Sequence, residues 1–533
     1  MSGCVPGAAA TTRSRYGAVV QGGLVVCGAT SDAGKSWVVA GLCRLLARRG
    51  VSVAPFKAQN MALNAAVTAD GGEIGHAQWV QAVAAGVEPE VAMNPVLLKP
   101  TGADTSQVVV LGRATGVRSA GEHHAGLDEL RPVVLGALAG LRRRFDVVVC
   151  EGAGGAAEIN LLDRDLANLP LAAAAGLPAV VVGDIDRGGV FAALYGTVGL
   201  LPEELRRCVR GFVVNRLRGD PALLDPGIAE LERRTGVPTL GVIPMLPGID
   251  LDAEDSLALD HWDTAPTADG DAGPAGGRTL DVAAVRFPRV ANFGDLDPLR
   301  LEPAVGVRWV RSPAELGRPH LVVLAGSKAT RGDLAWFRGS GLASAVAASD
   351  AAVVALCAGL QMAGGRIADP SGVEGEPGAV DGLGWLPVDT GFEPVKVLDR
   401  PAVAVVDGPG AGSSAAGYRI HHGRVTPRRD ARPWLVDARR GAIGWWRGRV
   451  AGTTLHGLFE SDELRAGVLR WAAARAGVPT PPLPGVTFAA AREARLDRIA
   501  DTLASHLDLD RLWAIMAEAG HPADHPSAQE ART

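Results

Sequence analysis

The chain has 533 residues, 47% apolar and 21% charged, with a formal net charge of -5. That length exceeds what one hydrophobic core accommodates and predicts two domains with a tail. The mildly acidic balance leaves no basic footprint for nucleic acid or an anionic membrane surface, and no run of about 18 apolar residues marks a membrane span.

Residues 1–21 lack the apolar region of a signal peptide and read as a disordered lead-in. From residue 22, short β-branched runs follow one another: LVVCGA (24–29), VSVAPF (51–56), FDVVVCEG (145–152), AVVVGDID (179–186), GFVVNR (211–216) and TLGVIP (239–244). They are continuous rather than alternating, as strands buried on both faces of a parallel sheet require. Helical patterns such as 37–50 and 125–145 separate them, predicting a doubly wound α/β domain over 22–258. The Pro/Gly/Asp-rich stretch within 259–279 reads as a linker. A second α/β set (280–287, 320–326, 351–359) opens a domain over 280–478, with further short strands around Trp385, Ile420 and Thr453. Residues 479–533 read as a helical tail through Met516. Six cysteines (Cys4, Cys27, Cys43, Cys150, Cys208, Cys357) show no CxxC or metal-like spacing. Reduced thiols in a cytoplasmic protein are expected.

The first strand runs into GATSDAGKS and then a helix. Residues 29–36 fit P-loop spacing with Ala29 in the first small position. Such a loop points backbone N–H groups and a helix N-terminus at phosphate. Gly28, Thr30, Ser31, Asp32, Ala33, Gly34, Lys35 and Ser36 are the expected nucleotide site, with Lys35 on the outer phosphates of ATP and Ser36 on Mg²⁺. Glu151, ending a strand before Gly152, Gly154 and Gly155, is the expected second Mg²⁺ ligand. At the next strand end Asp184, Asp186 and Arg187 point to phosphate, metal or substrate, or else to a capped helix start.

In the second domain AAVVALCAGLQMAGG places Cys357 between an apolar strand and a helix, the pattern of a nucleophile elbow. The helix dipole favours a thiolate, and nearby N–H groups can receive an oxyanion. His456, in VAGTTLHGLFESD, is the expected base.

The segments PFKAQNMALN (55–64), TADGGEIGHAQ (68–78), MNPVLLKP (93–100), EGAGGAAEINLLDRDLAN (151–168) and DIDRGGVFAALYGT (184–197) resemble the cobyric acid synthase family nearly collinearly over 22 to about 260. More distantly this half is similar to dethiobiotin synthetase, which implies ATP used to make an acyl phosphate. The second half is similar to class I glutamine amidotransferases through ANFGDLDPLRLEP (291–303), LAGSKATRGDLAWF (324–337), the Cys357 elbow, YRIHHG (418–423) and LHGLFESD (455–462). The resemblance implies a corrinoid acceptor, adenosylcobyrinic acid a,c-diamide, amidated at four carboxylates with nitrogen from L-glutamine. It adds Lys57 and Asn60 as substrate or phosphate contacts, and Gly326, Ala358, Gly359 and Gln361 around glutamine or its oxyanion. It also implies that the usual third triad acid is missing: Leu458 stands two residues after His456, and Glu460 is left out of a Cys–His dyad.

The chain departs from the family pattern at Ala358 and Arg419, where glycine and glutamate are usual, and at Ala58 and Ala325, where proline is usual. A Cβ at 358 would hinder a positive φ in the oxyanion loop. The rival readings are cobyrinic acid a,c-diamide synthase and, in another class, a nucleotide-dependent scaffold or a regulatory protein with a decayed amidotransferase half. A homo-oligomer is compatible with the sequence. Carrying ammonia between the two halves predicts an interdomain tunnel.

Overall fold

The computed structural model describes residues 22–102, 104–246, 279–482 and 485–520. The expected lead-in, and the expected linker up to residue 278, lie outside the described residues.

The first sheet has six strands in the spatial order Thr239–Pro244, Val209–Leu217, Ala179–Asp184, Gly22–Gly28, Val147–Glu151 and Val53–Phe56, all parallel. Gly22–Gly28, Val147–Glu151 and Ala179–Asp184 are buried along their whole length. Their unbroken runs of valine follow from having helices on both faces. Because Gly22–Gly28 lies between the other two, the carboxyl ends bring residues 28, 151 and 184 to one edge, where an open α/β sheet binds ligands.

The periodicity did not reveal an excursion between the second and third of these strands in sequence. There a sheet of Gln59–Met61, Val96–Pro100, Thr105–Val110 and Arg113–Ser119 forms, beside a hairpin of Ala65–Val67 and Glu73–Gly75. Several of these strands have only three residues, too short for a period to show.

The second sheet runs Val305–Val310, Leu280–Val285, Leu321–Leu324, Ala352–Leu356, Val450–Thr453, Gly444–Arg447 and Arg432–Pro433. Its first five strands are parallel, and Gly444–Arg447 pairs antiparallel with both of its neighbours. Ile420 and Thr453 fall in strands as expected, whereas Trp385 lies in the turn before Val388–Asp399. The larger antiparallel pair, Val388–Asp399 with Arg419–Pro427, touches the hairpin strand Ala65–Val67 of the first domain.

The tail forms helices Phe488–His506 and Leu509–Ala517 and returns to the first domain. Leu496 and Leu503 share a core with Val38, Val39 and Leu42 of helix Lys35–Arg48. A Cβ on Gly41 would stand 2.5 Å from Leu503 Cδ1, so glycine sets how closely the two helices approach. Arg44–Asp497 (2.8 Å) and Arg48–Asp501 (2.7 Å) flank this contact.

The two halves meet over buried polar groups. The Glu73 carboxylate of the hairpin receives Lys99 Nζ and, from the second domain, Lys396 Nζ, each at 2.6 Å. Burial opposes ionisation of Glu73, but the two ammonium groups hold it well below the usual carboxylate range. Arg289 donates to the Gly102 carbonyl (3.3 Å) and Lys328 to Gln107 Oε1 (3.1 Å) across the same boundary.

Candidate active site

The loop 28–36 leaves the central strand and enters helix Lys35–Arg48 through Gly34, whose φ of 94° is left-handed. A Cβ there would stand 2.1 Å from Asn215 Nδ2, which itself donates to the Ala33 carbonyl. Lys35 Nζ reaches across the loop to the carbonyls of Thr30 (3.4 Å) and Gly154 (2.9 Å). Ser36 Oγ donates to Glu151 Oε1 at 2.8 Å. The expected hydroxyl and carboxylate are therefore adjacent, 115 residues apart in sequence.

Glu151 also accepts Lys57 Nζ (2.8 Å) and Gln81 Nε2 (2.5 Å). Burial raises its pKa, but the Lys57 charge and the bonds from Lys57, Gln81 and Ser36 outweigh that and keep the carboxylate ionised. Lys57, named through resemblance, thus sits on the same carboxylate as Ser36. Asn60 does not join them: its Nδ2 donates to Gln78 Oε1 at 2.9 Å. Gln81, on helix His76–Ala84, was missed because nothing local sets a buried glutamine apart from one on a solvated helix face.

Asp184, Asp186 and Arg187 cluster with two arginines that sequence reading did not single out. Arg216 Nη1 donates to Asp184 Oδ2 (2.8 Å), Arg218 Nε to Asp186 Oδ1 (2.6 Å), and Arg187 Nη2 to Asp32 Oδ2 (2.7 Å). Asp184 Oδ1 accepts the Asp186 N–H in a local turn, whereas helix Val190–Leu200 starts at Gly189 without a side-chain cap, so the expected capped helix start is not found. The cluster ties the loop at Asp32 to the ends of two neighbouring strands.

In the second domain Cys357 has φ 51° and ψ -105° at the start of helix Ala358–Ala363. A non-glycine residue in this region costs roughly 1–3 kcal/mol, which the surrounding structure must hold in place. Here the Cys357 N–H is tied to the Thr453 carbonyl at 2.8 Å. The positive φ falls on the cysteine itself, and Ala358 is an ordinary helical residue. The expected penalty for a Cβ at 358 is therefore absent. Gly359 is needed for packing, since a Cβ there would lie 2.3 Å from the Leu324 carbonyl oxygen. Gly326 abuts the imidazole: its Cβ would stand 3.2 Å from His456 Cε1. Gln361 is buried and accepts from Thr330 Oγ1 at 3.4 Å. The charge reversal at Arg419 is compensated within the domain by a two-pronged pair with Asp399 (2.8 and 2.6 Å).

His456 is buried, lines the same pocket as the Cys357 thiol, and is stacked on Tyr418 at 5.3 Å between ring centroids; the thiol itself donates to the Ile420 carbonyl at 4.0 Å. The structure corrects the two-residue reading of this site. His456 Nδ1 lies 2.7 Å from Asp295 Oδ2, while Asp295 Oδ1 accepts the Gly457 N–H at 2.7 Å. Glu460 pairs with Arg492 at 3.1 Å. The acid comes from the far end of the domain, 161 residues before the histidine, so a search beside His456 could not find it. Its only local signal was its place in ANFGDLDPLRLEP. Burial disfavours the charged ring, but Asp295 and Cys357 overcome this and raise His456 from 6.5 to about 10.

Cys357, His456, Gly326, Ala358 and Gln361 line one pocket, which encloses about 510 Å³ of empty space, part of it open to solvent. Its far wall carries Lys328 and Lys396, and Lys99 from the first domain. His421 also faces it; burial holds that ring neutral, with a pKa near 3. No residue of the loop 28–36 lines this pocket, so the two sites do not share a single cavity.

Comparison with known proteins agrees with this division. Residues 24–258 match the CobQ/CobB/MinD/ParA nucleotide binding domain, and residues 281–464 the CobB/CobQ-like glutamine amidotransferase domain. The chain is 50% identical to cobyric acid synthases of Nocardia farcinica and Frankia casuarinae, covering 95% of this chain and 99% of each relative. It is also 50% identical to that of Rhodococcus jostii, over 95% of this chain and 98% of the relative. Among the described residues no helix is long and apolar enough to cross a membrane. With the nucleotide-binding and amidotransferase halves both matched and these relatives aligned nearly end to end, the chain belongs to the cobyric acid synthase family, glutamine-dependent amidoligases of cobalamin biosynthesis.

Proposed function

We propose that this chain converts the b, d, e and g carboxylates of adenosylcobyrinic acid a,c-diamide to amides, giving adenosylcobyric acid, at the expense of ATP and glutamine. A carboxylate does not exchange oxygen for nitrogen unaided, because hydroxide is a poor leaving group. The loop 28–36 would hold ATP, with Lys35 turning from the Thr30 and Gly154 carbonyls to the outer phosphates. The acceptor carboxylate attacks the γ-phosphorus, ADP leaves, and an acyl phosphate remains. Ser36 and Glu151 offer adjacent oxygen ligands suited to Mg²⁺, which keeps several waters and phosphate oxygens of its own. When bound, that ion would offset charge on the transferring phosphoryl group. Lys57, already on Glu151, is placed to neutralise the same region.

In the second domain the Cys357 sulfur attacks the glutamine carboxamide carbon. His456, protonated and oriented by Asp295, gives its proton to the departing ammonia. Water then hydrolyses the thioester to glutamate. Ammonia attacks the acyl phosphate, and phosphate leaves. This route calls for a shielded interdomain passage.

The observation that carries the reading is the Cys357–His456–Asp295 arrangement, facing a pocket partly walled by the nucleotide-binding half. Amidation of the a,c-diamide with ATP and either glutamine or ammonium chloride tests it. Cys357→Ser is expected to lose the glutamine-driven reaction and keep the ammonia-driven one. Equal use of glutamine by variant and parent would reject Cys357 as nucleophile.

A further inference from the structure

Asp295 and Tyr418 grip the His456 ring from different sides, and both are reached from the nucleotide-binding half. The hairpin there begins at Asn64 and Ala65. Asn64 Oδ1 accepts the Phe293 N–H at 3.3 Å, and the Ala65 N–H donates to Asn292 Oδ1 at 3.2 Å. Each asparagine thus accepts from the backbone N–H of the residue that follows the other, and both are buried. From Phe293 the chain needs only two residues to reach Asp295, whose carboxylate holds His456 Nδ1. The Asn292 amide works in the other direction: its Nδ2 lies 3.4 Å from the Tyr418 hydroxyl, and the Tyr418 ring stacks on the imidazole.

Asn292 carries this double duty in a left-handed conformation, φ 53°, which a non-glycine residue holds only when its surroundings fix it. Asn64, Asn292, Asp295 and Tyr418 all border one small cavity beside the ring. The hairpin is firmly anchored. Its second strand carries Glu73, clamped by Lys99 and Lys396, and the next helix carries Gln81 to Glu151 at the phosphate site.

We propose that Asn64, a residue of the nucleotide-binding half, positions the glutaminase histidine by fixing the Phe293 backbone and hence Asp295, two residues further on. This rests on the reading of Cys357 and His456 as the glutaminase. It makes the amidotransferase half dependent on its neighbour for a competent histidine. Asn64 does not line the thiol pocket, so it is a positioning residue.

The test is Asn64→Ala in the full chain, measured for glutamate release and for ATP-dependent amidation with ammonium chloride. The expected result is a fall of about 10- to 100-fold in kcat for glutamine, since displacing a catalytic group by an ångström costs that order. KM for glutamine and the ammonia-driven rate should stay within about 2-fold of the parent, limits well inside the 10-fold that 1.4 kcal/mol represents. An unchanged kcat for glutamine overturns the proposal, and so does an equal fall in the glutamine- and ammonia-driven rates. Asn64→Ser, too short to reach the Phe293 N–H, answers the same question if the alanine variant fails to fold. A parent enzyme whose glutamine hydrolysis survives Cys357→Ser would instead refute the underlying glutaminase assignment.

Discussion

The two reactive centres are both built at the carboxyl ends of parallel strands, yet they are assembled differently. The phosphate loop is one contiguous segment with left-handed backbone at Asp32 and Gly34, and Glu151 is delivered by the adjacent strand. The thiol centre carries its positive φ on Cys357, the proposed nucleophile, and gathers its partners from residues 295, 418 and 456, in contact with the other domain. A contiguous loop tolerates changes elsewhere in the molecule. A centre gathered from distant segments inherits the errors of each.

The largest effect that tests this contrast should come from Lys35→Met. It is expected to lower both glutamine- and ammonia-driven amidation by roughly 10³-fold or more while leaving glutamine hydrolysis standing, because charge stabilisation of a transferring phosphoryl group is worth about 4 kcal/mol. Loss of hydrolysis as well would mean that the two centres are not separable. Asp295→Asn keeps the shape and removes the charge that holds His456. Steady-state assays should show kcat for glutamine down by roughly 10²- to 10⁴-fold, with ammonia use intact. Near-parental hydrolysis would restore the two-residue reading of the site.

Glu73→Gln leaves Lys99 and Lys396 buried around a neutral amide, and denaturant unfolding should show a loss of about 3–5 kcal/mol. A stability within error of the parent would show that the interdomain clamp is replaceable. The pH dependence of stability has a definite sign at His456. Its folded value of about 10 lies above the ordinary 6.5, so its contribution is complete below about pH 6.5 and is lost as pH rises through about 10. Melting temperature should fall across that window in the parent and fall less in Asp295→Asn; identical slopes would contradict the assignment. The smallest effect is Ala358→Gly, which should cost about 0.5–1 kcal/mol as a glycine in a helix and bring no gain in glutamine hydrolysis. A faster enzyme would show that the methyl group at 358 obstructs the oxyanion.

The legibility of the two centres follows from the same contrast. The loop, Lys35, Ser36, Glu151 and the parallel sheet could be read directly, because continuous valine runs and a glycine turn carry their geometry in neighbouring residues. Cys357 was legible for the same reason, since strand, thiol and helix are consecutive. Asp295 was not, because hydrogen bonding to His456 depends on how the strands are ordered rather than on spacing along the chain. Lys57 came into view only through resemblance, and Gln81 not at all; burial, which no local pattern encodes, gives both their meaning. The three-residue strands around residues 59–75 stayed hidden because a pleat needs more residues than that to declare itself.

The return of the tail has a consequence for how the molecule is made. The helix that starts at Lys35 and ends at Arg48 finishes its packing only against residues near 500, after the whole amidotransferase half has been synthesised. Topologically, the amidotransferase half is an insert between two parts of the nucleotide-binding unit. A ribosome that stopped early would release a chain lacking the packing of helix Lys35–Arg48 against the tail, along with the tail's bonds to Glu460 and Asp462.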